Sequence, residues 1–305
     1  MQILMTGGTG FIGSALVPAL LGQGHQLIVL SRDVRRAQAA LPAARCIGSL
    51  DELAAGEGID AIVNLAGASL AGKRWSASYK QDIVASRLDT TRDLLTLIKR
   101  LDSKPQVMLS ASAIGFYGHH NDAKLAEDAR PNPGFSQRLC HDWEVVANEA
   151  SELGVRVCLM RLGVVLDAEG GALTEMTRSF HLGVASWAGD GAQWLSWVHR
   201  VDVVRAVMYM LEHSTLAGPV NVTAPEPVTA RGLAEALAAH FRTVLRVGVP
   251  APVMRLLLGE MADELLLNGQ RVVPGVLQAA GFEFRYSRID AALAAIYEPH
   301  SAPSI

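Results

Sequence analysis

The chain has 305 residues, with 27 Lys and Arg against 30 Asp and Glu, and half of its residues are hydrophobic. A formal charge of -3 leaves no basic surplus for a phosphate backbone, so nucleic acid is not an expected partner. The mean hydropathy of +0.23 excludes a disordered or fibrous chain, and the length suits one α/β domain carrying a smaller second lobe.

Met1 to Met5 lead straight into a glycine turn without a basic start, and no apolar stretch is long enough to span a bilayer. A soluble, cytoplasmic protein with no membrane partner is therefore expected. Cys46, Cys140 and Cys158 are odd in number and lack a CxxC spacing, which indicates reduced thiols and neither a disulfide framework nor a zinc site.

In chain order, short apolar runs at 3–5, 27–30, 61–65, 107–109 and 155–160 alternate with helical patterns. That alternation predicts βαβ units and a Rossmann-type doubly wound parallel sheet. Val84, Leu88, Thr91, Leu95 and Ile98 recur at helical spacing, and so do Phe135, Leu139, Trp143, Val146 and Ala150. Beyond Gly163, glycines at 170, 171, 183, 189 and 191 predict a loop-rich excursion before a strand end and helix over 197–211. Asn221-Val222 offers one more strand; helices are then expected over 229–241, 250–258 and 290–296 with little strand between them. The resulting division assigns 1–162 and 197–222 to a nucleotide-binding domain, and 163–196 and 223–305 to a mainly helical, substrate-side lobe.

The opening reads Thr6-Gly7-Gly8-Thr9-Gly10-Phe11-Ile12-Gly13, with glycines at 7, 10 and 13 between a strand and an amphipathic helix. Gly7 permits the tight turn, Gly10 lets backbone approach a pyrophosphate, and Gly13 lets the helix sit close to the strand. The first amides of that helix then face the phosphates, and dinucleotide binding is the expected function of the turn. Pro18 removes one donor from the helix interior. The second strand ends at Leu30-Ser31-Arg32-Asp33, and Arg32 stands where an acidic residue would hold the ribose 2′-hydroxyl of NAD. A guanidinium grips a 2′-phosphate through two parallel hydrogen bonds, which favours NADP(H). The plainer alternative makes Asp33 a helix cap and Arg32, Arg35 and Arg36 a solvated face.

With this turn, Asn64-Leu65-Ala66-Gly67, Ser110-Ala111-Ser112 and Tyr117-Gly118, the chain resembles the extended short-chain dehydrogenases. More narrowly, it is similar to their atypical epimerase-like family, some members of which are described as cell-division inhibitors. Lys73-Arg74-Trp75, Ser86-Arg87, Arg161 to Leu166, Gly170-Gly171 and Ser196 to His199 carry that likeness, and 249–296 resembles the family's small C-terminal domain. The resemblance implies NADP(H) contacts from Ser31, Arg32, Leu65, Ala66 and Arg87. Phe11, Ile12, Gly67 and Ser110 are assigned to the same pocket beside Gly7 and Gly10.

Ordinary members of the superfamily carry Tyr-x-x-x-Lys on the helix after the fifth strand, where lysine lowers the tyrosine pKa for proton exchange. The corresponding stretch here is Phe135-Ser136-Gln137-Arg138-Leu139, whose Phe135 has no proton to exchange and whose Leu139 cannot orient a ribose or shift a pKa. Ser112 is the candidate for polarising a substrate oxygen, although a strand-end serine also satisfies local backbone. Tyr117 is either a replacement acid or a packing residue. His119, His120 and Asp122 lack further ligands for a metal, adjacent Cys140 and His141 point apart on a helix, and His199 with Asp202 either line the cleft or cap a helix. Two functions compete: an NADP(H)-dependent oxidoreductase or epimerase of a small molecule, and a silent NADPH sensor. NADPH is expected to bind more tightly than NADH in side-by-side titrations; a tighter NADH complex would refute the assignment of Arg32.

Overall fold

The computed structural model describes residues 1–298 of the chain, so the expected lobe boundary at 305 runs into residues outside the described ones. Seven strands form one parallel sheet: β1 (Gln2–Thr6), β2 (Gln26–Leu30), β3 (Arg45–Ile47), β4 (Ala61–Asn64), β5 (Val107–Ala113), β7 (Arg156–Leu162) and β12 (Gly218–Val222). β6 (Lys124–Leu125) lies outside it. The spatial order is β3-β2-β1-β4-β5-β7-β12, so the winding reverses between β1 and β4 and opens a crevice at their carboxyl ends.

Successive strand residues face opposite sides, and both sides are covered, which explains the near-continuous apolar runs. Ile3, Met5, Val29, Val63, Leu109 and Met160 pack under α1 (Gly13–Gly22) and a second helix whose Val203, Val207 and Met210 are buried. Leu4, Ile28, Ile62 and Met108 pack on the other side against Leu94, Leu95, Ile98, Trp143 and Val146. These last residues belong to α3 (Ala77–Arg100) and α4 (Phe135–Asn148), with α2 (Val34–Ala40) preceding them beside β3. α1 contains Pro18 and still runs to Gly22.

Residues 163–196 correct the expectation of loops. β8 (Val164–Asp167), β9 (Val184–Ala188), β10 (Trp194–Leu195) and α5 (Gly171–Met176) lie within them, before β11 (Trp197–His199) and α6 (Arg200–Glu212). Their partners come from farther along the chain: β8 pairs with β11, β9 with β14 (Leu245–Val249) and β10 with β13 (Val228–Thr229); β6, outside this stretch, pairs in the same way with β15 (Arg271–Val272). The region after 223 therefore contributes strands as well as helices α7 (Ala230–Ala238) and α8 (Ala251–Leu258). Such two- to five-residue strands carry too little periodicity to read locally, and only pairing fixes them. A third apolar cluster around Trp197, Phe180, Leu233, Leu237 and Leu293 seals this region.

The glycine turn is sterically tight. Gly7 has φ 71°, and a Cβ on Gly13 would lie 2.2 Å from the Gly7 carbonyl oxygen. Replacing Gly13 with Ala is expected to cost about 1–3 kcal/mol in a urea titration through this overpacking alone; an unchanged midpoint would show that the turn yields freely.

Candidate nucleotide site and the buried network behind it

At the carboxyl end of β1, the Thr6 hydroxyl donates to Asn64 Oδ1 at 2.7 Å and accepts from the amides of Leu65 and Ala66, each at 3.1 Å. Asn64 Nδ2 donates onward to Thr91 Oγ1 at 3.0 Å and Ser110 Oγ at 3.3 Å, and the Trp143 indole donates to the same Thr91 oxygen. Every side chain in this junction is nearly or fully buried. Its effect is to hold the 65–67 exit against the glycine turn, where a Cβ on Gly7 would meet the Leu65 carbonyl at 2.7 Å. Ser110, expected to touch a cofactor, is fully buried in this junction; Thr6 and Thr91 were not singled out from the sequence, because their role exists only once three strands and a helix meet.

Gly10 donates to Gly7 O at 2.9 Å, and among the described residues beyond its chain neighbours that carbonyl alone, at 3.1 Å, would meet its missing Cβ. Phe11 and Ile12 follow at the start of α1, which has no side-chain cap and no acidic residue in its first turn. Uncapped helix amides with a partial positive charge suit a diphosphate. Arg200 pins the turn from behind: its guanidinium donates to the Phe11 carbonyl at 3.3 Å, lies 5.1 Å from the Phe11 ring centroid and pairs with Asp167 at 3.0 Å. Gly170 and Gly171 lie against the same ring, and a Cβ on Gly171 would stand 2.6 Å from it. This explains the glycine pair.

At the end of β2, Asp33 caps α2 by accepting from the Arg36 amide at 3.0 Å, as the plainer sequence reading had it. Arg32 remains exposed, with no hydrogen bond or ion pair among the described residues. Ser31 Oγ accepts from the Asp33 amide at 3.3 Å. Arg87, on α3, sits over the missing side chain of Gly67, whose Cβ would approach its guanidinium carbon at 3.0 Å. The guanidinium donates to the Ile83 carbonyl at 3.0 Å and stacks 5.2 Å from the Trp143 ring. Burial lowers its pKa, and no ion pair among the described residues offsets that cost. Arg32 and Arg87 are thus two cations without a carboxylate on either side of the uncapped helix.

The two residues assigned to catalysis from sequence lie elsewhere. Ser112 donates to Glu144 Oε1 at 2.7 Å, and Arg161 donates to both oxygens of Glu144 at 2.9 Å. Tyr117 is fully buried, accepts from Arg161 Nη1 at 3.0 Å and donates to Asn221 Oδ1 at 2.7 Å. Burial raises the Tyr117 pKa. Neither hydroxyl is directed at open space, and the spacing back from Tyr117-Gly118 that places a serine four residues before tyrosine falls on Ala113. Sequence reasoning missed Glu144 and Arg161, yet the signal existed: each is a charge in an otherwise apolar face or strand.

The remaining candidates have local partners. His119 is exposed, His120 Nε2 lies 3.1 Å from the Tyr117 carbonyl, and Asp122 accepts from the Trp194 indole at 2.7 Å. Cys140 is buried beside Ser112, with its thiol pushed up to about 12 by burial, and His141 is exposed. His199 caps α6, accepting from Val201, and burial lowers its pKa; Asp202 accepts from the amides of Arg285 and Tyr286, each at 2.8 Å. Among the described residues, no group of three His, Cys, Asp or Glu could hold a metal ion, and no helix is long and apolar enough to cross a membrane.

The Arg161–Glu144 pair is nearly fully buried, whereas Arg178–Glu175 is a solvated pair. Glu144→Gln is expected to cost about 3–5 kcal/mol because it strands a buried cation, against about 0.5 kcal/mol or less for Glu175→Gln. Equal losses in chemical denaturation would contradict this placement.

Against known proteins, residues 3–223 match the NAD dependent epimerase/dehydratase family, and residues 249–296 match DUF1731, a domain of unknown function. An epimerase family protein of Mycobacterium bovis is 37% identical over 294 residues, covering 95% of this chain and 96% of that one. A Staphylococcus aureus epimerase family protein is 34% identical, with 96% and 97% covered. The crystal structure of a human epimerase family protein with NADPH superposes with a TM-score of 0.86 at 30% identity, over 98% of this chain and 99% of that one. The arrangement of glycine turn, strand exits and C-terminal segment is therefore a shared one, and the chain belongs to the NAD dependent epimerase/dehydratase family, with DUF1731 as its C-terminal domain.

Proposed function

We propose that this chain is an NADP(H)-binding oxidoreductase or epimerase of a small molecule that works without the Tyr-x-x-x-Lys pair. The observation that carries the reading is the pair of cations without carboxylates, Arg32 and Arg87, flanking an uncapped helix start. The amides of Phe11 and Ile12, just ahead of α1, would take the diphosphate, Ser31 and Arg32 the phosphorylated ribose, and Leu65, Ala66, Gly67 and Arg87 the strand-exit side of the nucleotide. When bound, the nicotinamide supplies a hydride donor or acceptor. In this reading residues 1–162 and 197–222 hold the nucleotide, while 163–196 and the chain from 223 onward flank the substrate.

Ser112 and Tyr117 serve the scaffold: their bonds to Glu144, Arg161 and Asn221 hold β5, α4, β7 and β12 in register behind the pocket. What the chain contributes to turnover is position, which alone removes much of a barrier. A second reading, a cytoplasmic NADPH sensor that performs no turnover, is favoured by the apolar Phe135 and Leu139 where an acid and a lysine would stand.

Arg32→Ala is expected to weaken NADPH roughly tenfold or more, the worth of a charge-assisted contact, while leaving NADH nearly unchanged. Isothermal titration with both nucleotides reads this directly. Equal weakening of the two would remove Arg32 from the 2′-phosphate, and no binding of either would end the reading.

A further inference from the structure

One carbonyl at the start of α1 is passed over by the helix. The Ser14 amide donates to Gly10, and the Ala15 and Leu16 amides both donate to Ile12, so the Phe11 carbonyl between them receives no backbone donor. Its partners are side chains: the Ser14 hydroxyl at 3.2 Å and the Arg200 guanidinium at 3.3 Å. Arg200 is itself firmly held. Its side chain is 11% exposed, its Nε donates to Asp167 at 3.0 Å, and its Nη2 donates to Glu169. The register of β8 on β11 sets this up, because Leu166 lies beside His199 and the next step brings Asp167 to Arg200.

A trans peptide points its carbonyl and its amide in opposite directions. The Phe11 carbonyl and the Ile12 amide belong to one peptide, so a cation that holds the first turns the second away from β8 and α6. Neither the Phe11 amide nor the Ile12 amide has a hydrogen-bond partner among the described residues. A guanidinium on the carbonyl also polarises the peptide and makes its N–H the stronger donor. Net charge plays no such part: Asp167 and Glu169 together outweigh the single charge of Arg200.

We propose that Arg200 is a positioning residue for the nucleotide: without touching the diphosphate, it fixes the 11–12 peptide so that the Ile12 amide meets it. The inference rests on the NADP(H) reading above and extends it to the 163–196 segment, which supplies Asp167 and Glu169 to Arg200 and Gly170-Gly171 to the Phe11 ring. Arg200 differs in kind from Arg32. A 2′-phosphate distinguishes NADPH from NADH, whereas the diphosphate is common to both, so Arg200 serves the two nucleotides alike.

Two variants test this by isothermal titration, each well below its melting midpoint. Arg200→Met combined with Asp167→Asn removes the guanidinium without stranding a half-buried carboxylate. Arg200→Lys keeps a donor that can reach the Phe11 carbonyl but lacks the fork that also grips Asp167. NADPH and NADH are expected to weaken together, roughly tenfold in the double variant and less in Arg200→Lys. Adenosine 2′-monophosphate, which carries the phosphate assigned to Arg32 and no diphosphate, should bind both variants as it binds the unaltered protein. An equal loss for that fragment would mean a general loosening of the fold and overturns the proposal. Full NADPH affinity in the double variant overturns it too, and so does a loss confined to NADPH, which would move Arg200 to the 2′-phosphate. Unaltered protein that binds neither dinucleotide overturns the underlying reading instead.

Discussion

One hydroxyl sets the geometry of the nucleotide crevice. Thr6 donates to Asn64 and receives the amides of Leu65 and Ala66, so the ends of β1 and β4 are joined by side chain as well as by their ladder. Parallel strands slant their hydrogen bonds and leave terminal amides short of partners; here the half-buried Ala66 amide is taken by the Thr6 hydroxyl, and the Leu65 amide is shared between that hydroxyl and the Thr6 carbonyl. Because Thr6 takes them, the 65–67 segment can lie within 2.7 Å of a side chain Gly7 does not have. Asn64 passes the constraint to Thr91 and Ser110, and Trp143 adds α4 to it. Arg87, one turn before Thr91 on α3, is placed by that same junction.

A second network lies behind the first and bears on reactivity by what it withholds. Glu144 and Arg161 meet through two parallel hydrogen bonds in a nearly dry interior, and Ser112, Tyr117 and the Phe116 ring close around them. Burial opposes the guanidinium charge, yet the bonds from Glu144 keep its pKa above the ordinary value. A hydroxyl spent on a buried carboxylate is a poor proton source for a substrate, and the apolar Phe135 offers no replacement.

Much of the fold could be read from the chain because both faces of a parallel sheet are covered and its strands announce themselves as apolar runs. β3, a short edge strand reading Arg45-Cys46-Ile47, made no such announcement, and neither did β8, β9, β10 or β14, whose pairing partners lie up to tens of residues away. The glycine turn was legible residue by residue, since its spacing encodes backbone shape. Ser112 and Tyr117 stayed open between two roles because a serine at a strand end looks the same whether it faces a cleft or a buried glutamate. Arg161 within Val-Cys-Leu-Met-Arg-Leu and Glu144 beside Trp143 and Val146 were the available warning: an ion in an apolar run needs its opposite nearby.

The start of α4 is finished by a residue from far downstream. Gly134 has no side chain with which to cap it, and Glu264 supplies both oxygens instead, accepting from the amides of Phe135 at 2.9 Å and Ser136 at 3.0 Å. DUF1731 is therefore wired into the helix that carries the atypical Phe135 rather than appended to the sheet. A chimera that exchanged this C-terminal module for one without a carboxylate there would uncap that helix at Phe135 and Ser136. Residue 264 thus helps to decide how a helix that begins 129 positions earlier is closed.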